Sequence, residues 1–265
     1  MKSVVRVPFR LRRRNARRNF LRGTAAAVTG LTLAGCDNLS RTQWLPKVLD
    51  VAVPVNEALA KYIGSNGLAQ EFEPRDVSPT FRSNGTSNPE TEQYAAWVQS
   101  GFSTYALDVG GLCDAPRKFT LEELRALPSR TQITRHDCVE GWSAIAKWKG
   151  TRLAALLDTV KVKPQARYVV LYCADPMSEN PADLYYESID LDDARHEQTI
   201  LAYDLNDAPL PVQNGAPIRL RVERQLGYKH AKYVTGIEFV ESFAKIAGGK
   251  GGYWEDQGYQ WWAGI

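Results

Sequence analysis

The sequence predicts a single α+β domain over residues 78–265. Short apolar segments of strand length recur along this region, and only a few helical patterns lie between them. Hydrophobic residues make up 44% of the chain and charged residues 24%, as in ordinary globular proteins, so the chain can bury a core. Residues 36–77 are interpreted as a lead-in and residues 1–35 as a targeting segment.

The N-terminal segment accounts for the positive charge of the chain. Residues 1–35 hold nine of the 33 Lys and Arg residues and no acid, which leaves 24 basic against 30 acidic residues, a net −6, in the remainder. This balance argues against nucleic-acid binding, which needs a clustered basic surface. Arg17 and Arg18 precede a weakly apolar run over residues 24–35, and the pattern resembles a twin-arginine export signal. It predicts a periplasmic protein; a basic amphipathic helix is the alternative.

The apolar run ends in a sequence that resembles a lipoprotein cleavage box. Leu33, Ala34 and Gly35 precede Cys36, and a lipid on this cysteine would anchor the protein to a membrane. Asp37 favours the inner membrane by analogy with bacterial lipoproteins. Cleavage nearby without lipidation is the alternative. The run is too short to span a bilayer as a permanent helix.

Three cysteines follow Cys36, and an odd number requires at least one thiol that is free, ligated or paired with another chain. Their spacing contains no Cys-x-x-Cys, so a zinc ribbon, a thioredoxin-type pair and a c-type haem attachment are unsupported. Cys113 and Cys173 are interpreted as buried thiols or as a mutual disulfide. Cys138 remains as the cysteine with a chemical task.

Local patterns predict the elements of the domain one by one. Thr120 and Glu123 form a capping box that begins a helix. Gly150 and Thr151 are predicted to open a second helix, with apolar residues at i, i+3, i+4 and i+7 from Leu153. The remaining predicted elements are a helical patch around 57–63, a loop over 78–89, strands over 105–109, 131–138, 168–172, 200–203, 218–222 and 233–240, and turns at 206–207 and 213–215.

Cys138 follows two potential cations, Arg135 and His136, at the end of a predicted strand. Neighbouring positive charge stabilises a thiolate, the form that ligates a metal or attacks a substrate. Three uses stay open: a nucleophile with His136 as its base, a metal ligand, or an inert core thiol. A metal held by one cysteine needs a second chelator, and an organic dithiolene cofactor supplies one.

Residues 135–142, with Trp148-x-Gly150 after them, resemble the molybdenum-ligating stretch of the sulfite-oxidase superfamily. The resemblance is closest to the bacterial periplasmic catalytic subunits that reduce methionine sulfoxide in proteins. Residues 210–220 resemble that family's pterin-binding turn and strand, and residues 227–232 its second cofactor loop. Residues 83–86 match its first pterin contacts more loosely. The similarity covers residues 79–245.

The resemblance implies a sulfite-oxidase-type molybdopterin-binding fold, with mixed sheets and few helices, that holds molybdenum-molybdopterin. It implies Cys138 as the metal ligand, with Arg135 and His136 beside it in the catalytic site and Glu140 shaping the pocket. Cys173 stands where the family has a threonine, so one hydrogen bond to the cofactor would be weaker. The implied cofactor contacts are Asn84, Gly85, Thr86, Cys173, Asn214, Arg219, His230, Ala231 and Lys232.

The implied activity is oxygen-atom transfer on a sulfur substrate, either sulfoxide reduction or sulfite oxidation. Electrons would be exchanged with a haem protein, either a cytochrome or a membrane haem subunit, and a cationic pocket would favour sulfite. The chain lacks the C-terminal dimerisation domain of eukaryotic sulfite oxidases, so a monomer is expected. A non-catalytic exported lipoprotein that keeps the fold as a binding module is the main alternative, and a cysteine hydrolase is a third hypothesis.

Overall fold

The computed structural model describes residues 42, 44–45, 51–52, 54–59, 67–180 and 182–265. The chain divides into two compact units, Met1–Leu59 and Ala60–Ile265. In the first unit residues 54–59 are helical; residues 60–63 of the predicted helical patch, the export signal and Cys36 lie outside the described residues. Within the described ranges, no helix combines the length and the apolar character that crossing a bilayer requires.

Two five-stranded sheets form the framework of the second unit. The strands are β1 Ala106–Gly111, β2 Arg117–Thr120, β3 Ser129–Cys138, β4 Trp142–Arg152, β5 Tyr168–Pro176, β6 Leu184–Asp190, β7 Ile200–Leu205, β8 Ala208–Pro209, β9 Arg219–Arg221 and β10 Val234–Val240. The first sheet has the order β2-β1-β10-β5-β6 and is mixed, because β1 and β10 run parallel while the other pairs are antiparallel. The second has the order β3-β4-β7-β8, with β9 also paired to β7. The predicted α+β class with mixed sheets is confirmed.

The helices of this unit are short, and the capping box predicted from the sequence begins one of them. Glu123 N donates to Thr120 Oγ1 at 3.2 Å, and Thr120 N donates to Glu123 Oε2 at 2.9 Å. The helices are α1 Glu92–Gln99, α2 Leu121–Ala126, α3 Leu153–Val160, α4 Leu191–Arg195 and α5 Tyr253–Asp256, with 3-10 turns at Pro74–Asp76, Val212–Asn214 and Gly227–Lys229.

The prediction that Gly150 and Thr151 open a helix is wrong. Both residues belong to β4 and pair with Ala202 and Leu201 of β7. A Cβ at position 150 would lie 2.3 Å from the Leu201 carbonyl oxygen, so glycine here permits close approach of two strands rather than a helix start. The helix begins two residues later, at Leu153.

The main hydrophobic core packs α3 against β1, β5 and β10. Cys113 and Cys173 are both buried in this core as free thiols, so the disulfide alternative is excluded and the buried-thiol alternative is confirmed. A second cluster packs residues of β4 and β7 around Trp148 and Phe81, and the Phe81 ring lies 5.6 Å from the ring of His136 near the end of β3.

Candidate cofactor site

A cavity of about 210 Å³ lies at the carboxyl end of β3. It brings together three of the segments singled out in the sequence: the loop around Asn84, the turn after Cys138 and the loop from Gly227 to Lys232. The residues that line it are Asn84, Gly85, Thr86, Cys138, Val139, Glu140, Asp175, Met177, Tyr185, Gly227, Tyr228, His230, Lys232, Trp254 and Tyr259.

The Cys138 thiol is 8% exposed and ends β3 at a turn in which Gly141 N donates to the Cys138 carbonyl at 3.0 Å. Burial raises the pKa of the thiol, the Glu140 carboxylate raises it further, and the charges of Arg82 and Arg219 lower it. Arg135, predicted to supply this charge, points outward with a 54% exposed side chain that pairs with Asp137 at 2.9 Å. An unactivated thiol is a poor nucleophile, whereas a bound metal ion would itself remove the proton.

His136 is buried behind the cavity wall rather than in its lining. Its Nδ1 accepts a hydrogen bond from Arg221 Nη1 at 2.9 Å. Burial and the charges of Arg221 and Arg219 lower its pKa well below the ordinary value, so the ring is neutral and carries its proton on Nε2. A Cβ at Gly227 would lie 2.7 Å from this Nε2, so only glycine lets the second cofactor loop lie against the ring.

Arg219 is fully buried on β9 and has unused donor capacity. It donates from Nη1 to the Asn214 carbonyl at 3.1 Å and from Nη2 to the His230 carbonyl at 3.2 Å, while its Nε has no partner among the described residues. Burial and Arg221 lower its pKa to about 9. A buried cation whose described acceptors are carbonyl oxygens is stabilised by a bound anion.

Lys232 joins two of the loops around the cavity. Its Nζ donates to the carbonyl oxygens of Asn84, at 2.6 Å, of Thr86, and of Gln213, at 3.3 Å. Burial and the neighbouring Arg219 lower its pKa to about 7, while Asp175 opposes the shift. An anionic group bound near the two cations would relieve their repulsion and raise this pKa.

Five buried polar atoms at this site have no partner in the described part of the chain: Asn84 Oδ1, Asp175 Oδ1, Asn214 Nδ2, Arg219 Nε and His230 Nδ1. His230 Nε2 donates to a carbonyl at 3.0 Å, so its neutral ring offers Nδ1 as an acceptor. Buried polar groups are nearly always hydrogen-bonded, so these unpartnered side-chain atoms indicate a ligand that offers both hydrogen-bond donors and acceptors. A pterin edge has that character.

A family model described as the oxidoreductase molybdopterin binding domain matches residues 95–245, more than half of the chain. The chain belongs to this family. The predicted membership of the sulfite-oxidase superfamily is thereby confirmed, and with it the expectation of a molybdopterin-binding oxidoreductase domain.

Curated relatives of this molybdopterin-binding domain include a putative protein-methionine-sulfoxide reductase subunit, YedZ1, of Azospira oryzae, which is 42% identical over 162 residues. The match covers 61% of this chain and 56% of that protein. The protein-methionine-sulfoxide reductase catalytic subunit MsrP of Xanthomonas axonopodis pv. citri is 34% identical over 175 residues, 63% of this chain and 54% of that one. The chain therefore spans about half the length of these relatives. The solved structure of the sulfane dehydrogenase SoxCD from Paracoccus pantotrophus matches with a TM-score of 0.48 and 20% identity, over 67% of this chain and 46% of that chain.

The residues of the molybdopterin-binding domain that can hold the cofactor fall into two groups. Asn84, Gly85, Thr86, His230 and Lys232 line the cavity, with Asn214 and Arg219 beside Lys232 across Gly215. Cys173 and Ala231 are buried in the main core instead, so their cofactor contacts stay predictions. No cluster of three or more potential metal ligands occurs among the described residues, so a metal at Cys138 would take its other ligands from the bound group.

Sequence reasoning missed much of the cavity wall. Asp175, Tyr185 and Tyr228 line it from the end of β5, from β6 and from the loop at 227–232, respectively. Trp254 and Tyr259 close it from the C-terminal segment, whose aromatic residues are visible in the sequence but match no motif. Arg221, which contacts His136, was also missed, although it alternates with the predicted Arg219 along the apolar segment 218–222.

Proposed function

We propose that this protein is a periplasmic molybdenum-molybdopterin oxidoreductase that transfers an oxygen atom from a sulfoxide. The proposal rests on the unpartnered polar atoms of Asn84, Asp175 and His230 in the cavity that contains Cys138, together with those of Asn214 and Arg219 beside Lys232. The cofactor, when bound, supplies two-electron redox chemistry. Cys138 would hold its metal as one soft ligand, Asn84, Asn214 and His230 would bind the pterin edge, and the charges of Arg219 and Lys232 would attract its phosphate.

The lining of the cavity favours a neutral sulfoxide over the sulfite anion. Lys232 is the only lysine or arginine among the described lining residues, and all three of its N–H groups are already donated to carbonyl oxygens. Glu140 and Asp175 add acidic groups, and Val139 and Met177 add apolar surface. Because the cofactor phosphate would already take up the charge of Lys232, a second anion gains little there, whereas a sulfoxide flanked by alkyl groups gains apolar contact. Methionine sulfoxide, named in the relatives, is the substrate class we propose.

The export signal at Arg17 and Arg18 supports a periplasmic location, and Cys36 supports an acyl anchor in the inner membrane. The relatives are named as subunits, which supports a separate electron-supplying protein. We propose that this chain acts as a monomer that receives electrons one at a time from a haem protein, either a cytochrome or a membrane haem subunit.

Metal analysis of protein exported with its native N-terminus tests the cofactor. Elemental mass spectrometry should find near-stoichiometric molybdenum in the wild type and in Cys113→Ser, a matched buried thiol in the core. Cys138→Ser should lose the metal or the activity while keeping a cooperative thermal transition, because Cys138 belongs to neither the main hydrophobic core nor the cluster around Trp148.

Three results would contradict the proposed function, and each would favour a different alternative. Folded wild-type protein without molybdenum or pterin would favour the non-catalytic binding module. Inactivation by thiol alkylation in metal-free protein would favour a cysteine hydrolase. Loaded enzyme that oxidises sulfite faster than it reduces methionine sulfoxide with an artificial electron donor would reverse the proposed direction.

A further inference from the structure

Behind the cavity wall lies a buried cluster of one lysine and two glutamates. Lys229 Nζ donates to Glu187 Oε1 and to Glu255 Oε1, both at 2.6 Å. The three side chains are at most 1% exposed. Each follows or precedes a residue of the cavity lining: Lys229 comes after Tyr228, Glu255 comes after Trp254, and Glu187 is two residues beyond Tyr185. The cluster therefore touches three segments of the wall.

The charge of the cluster requires one additional proton. One ammonium between two ionised carboxylates would leave a net negative charge in a region closed to water, which costs several kcal/mol. A proton on Glu187 or on Glu255 removes this charge.

The hydrogen bonds indicate which carboxyl carries the proton. Glu187 Oε1 accepts from Lys229 Nζ and from Ser188 N, at 2.8 Å, while Glu187 Oε2 lies 3.3 Å from the Tyr185 hydroxyl. Tyr185 donates its own hydrogen to the Tyr228 carbonyl, so its oxygen can accept a proton from Glu187. Glu255 Oε2 has no partner among the described residues, so a proton there would find no acceptor.

We propose that Glu187 is a protonated carboxylic acid at neutral pH and that it supplies this proton, through the Tyr185 hydroxyl, to the cavity beside Cys138. The inference rests on the proposed sulfoxide reduction. In that reaction the S–O bond breaks, the sulfur keeps an electron pair, and the oxygen leaves as water after taking up two protons. The two electrons come from the haem donor. One proton comes from Tyr185, which is refilled by Glu187, and the second comes from water in the cavity. Glu187 regains its proton from that water through Tyr185 before the next turnover.

The groups around Glu187 agree with this assignment. Burial raises the pKa of Glu187 well above its ordinary value, Lys229 opposes the shift and Glu255 adds to it. Burial raises the pKa of Tyr185, with Glu187, Glu255, Cys173 and Asp175 as neighbouring charges that raise it further. Tyr186, the next residue on β6, bonds Asp256 instead and lies outside this path.

Infrared spectroscopy on protein labelled with ¹³C-glutamate tests the proton directly and does not depend on activity. The wild type at pH 7 should show the carbonyl stretch of a protonated carboxyl group, and Glu187→Gln should lack it. The band should disappear as the pH rises through the pKa of Glu187. The absence of this band from folded wild-type protein, or its persistence in Glu187→Gln, overturns the proposal.

Kinetics then test the transfer, with cofactor content measured for every variant. Methionine sulfoxide reduction by the wild type should slow as the pH rises through the Glu187 pKa. Glu187→Gln and Tyr185→Phe should lower kcat by roughly 10²-fold or more and abolish this pH dependence, while Tyr186→Phe should keep the wild-type kcat and pH dependence. Unchanged kcat and pH profile in loaded Tyr185→Phe overturn the relay even if Glu187→Gln does not fold. An infrared band in protein that lacks metal or reductase activity would instead count against the proposed function alone.

Discussion

Replacement of Lys229 by methionine should be among the most destabilising single substitutions in this domain. The side chain keeps its length but loses its charge, so Glu187 and Glu255 lose the cation that each contacts at 2.6 Å. Because all three groups are at most 1% exposed, water cannot replace the lysine. Removal of one partner from a buried ion pair costs about 3–5 kcal/mol. At roughly 2–4 °C per kcal/mol for a domain of this size, the melting temperature should fall by about 10 °C.

The stability lost in Lys229→Met should increase as the pH rises. Without Lys229, whose charge opposes the shift, the pKa of Glu187 rises further in the folded state. A carboxyl whose folded pKa is raised stabilises the fold below its unfolded pKa, about 4.3, and loses that contribution as the pH rises through the folded pKa. The deficit of Lys229→Met should therefore be smallest near pH 4 and increase toward pH 8.

Urea denaturation of the wild type and variants at several pH values measures this deficit. Lys147→Met is the matched control, because its salt bridge to Asp207 lies at the surface and should contribute at most about 1 kcal/mol. The double variant Lys229→Met, Glu255→Gln should recover part of the loss, since it removes the uncompensated carboxylate. A deficit below about 1 kcal/mol, or one that is constant with pH, would refute the electrostatic argument.

Three further predictions concern the cavity and the core. Gly215→Ala should lower the free energy of unfolding by about 1–3 kcal/mol, because φ is +109° and the new Cβ would lie 2.9 Å from Lys232 Cβ. Gly85→Ala is the control: φ is +56° and the space around it is open, so thermal melts should show a loss of only about 1 kcal/mol. Burial raises the pKa of Asp175 to about 6. Its contribution to the free energy of unfolding should therefore fall by about 2–3 kcal/mol as the pH rises from about 4 to 6. Asp175→Asn should flatten that part of the plot of stability against pH, and an unchanged plot would contradict the raised pKa. Maleimide should label Cys138 before Cys173, because their exposures are 8% and 1%; equal rates in native protein would mean that the core opens readily.

Structural features that depend on residues close together in the chain could be predicted from the sequence. The capping box at Thr120, the apolar face of α3 and most strands follow from short-range hydrogen bonding and side-chain periodicity. The residues around Cys138 and in the two loops after it resemble motifs of the sulfite-oxidase superfamily, and the family model that matches residues 95–245 confirms the membership. Gly150 shows the limit of local patterns: glycine permits both a helix boundary and a close strand contact, and only the position of β7 distinguishes them.

Tertiary structure decided which charges act on the site. Arg135 is three residues from Cys138 yet points into solvent, whereas Arg219, 81 residues away, lies close enough to lower the pKa of the thiol. The buried cluster at Lys229 and the cavity wall at Trp254 likewise join segments that are distant in the chain. Electrostatic interactions depend on distance through space and on exclusion of water. Neither the distance nor the exclusion of water can be read from residue spacing, so the electrostatics of the site follow only from the packing of the two sheets.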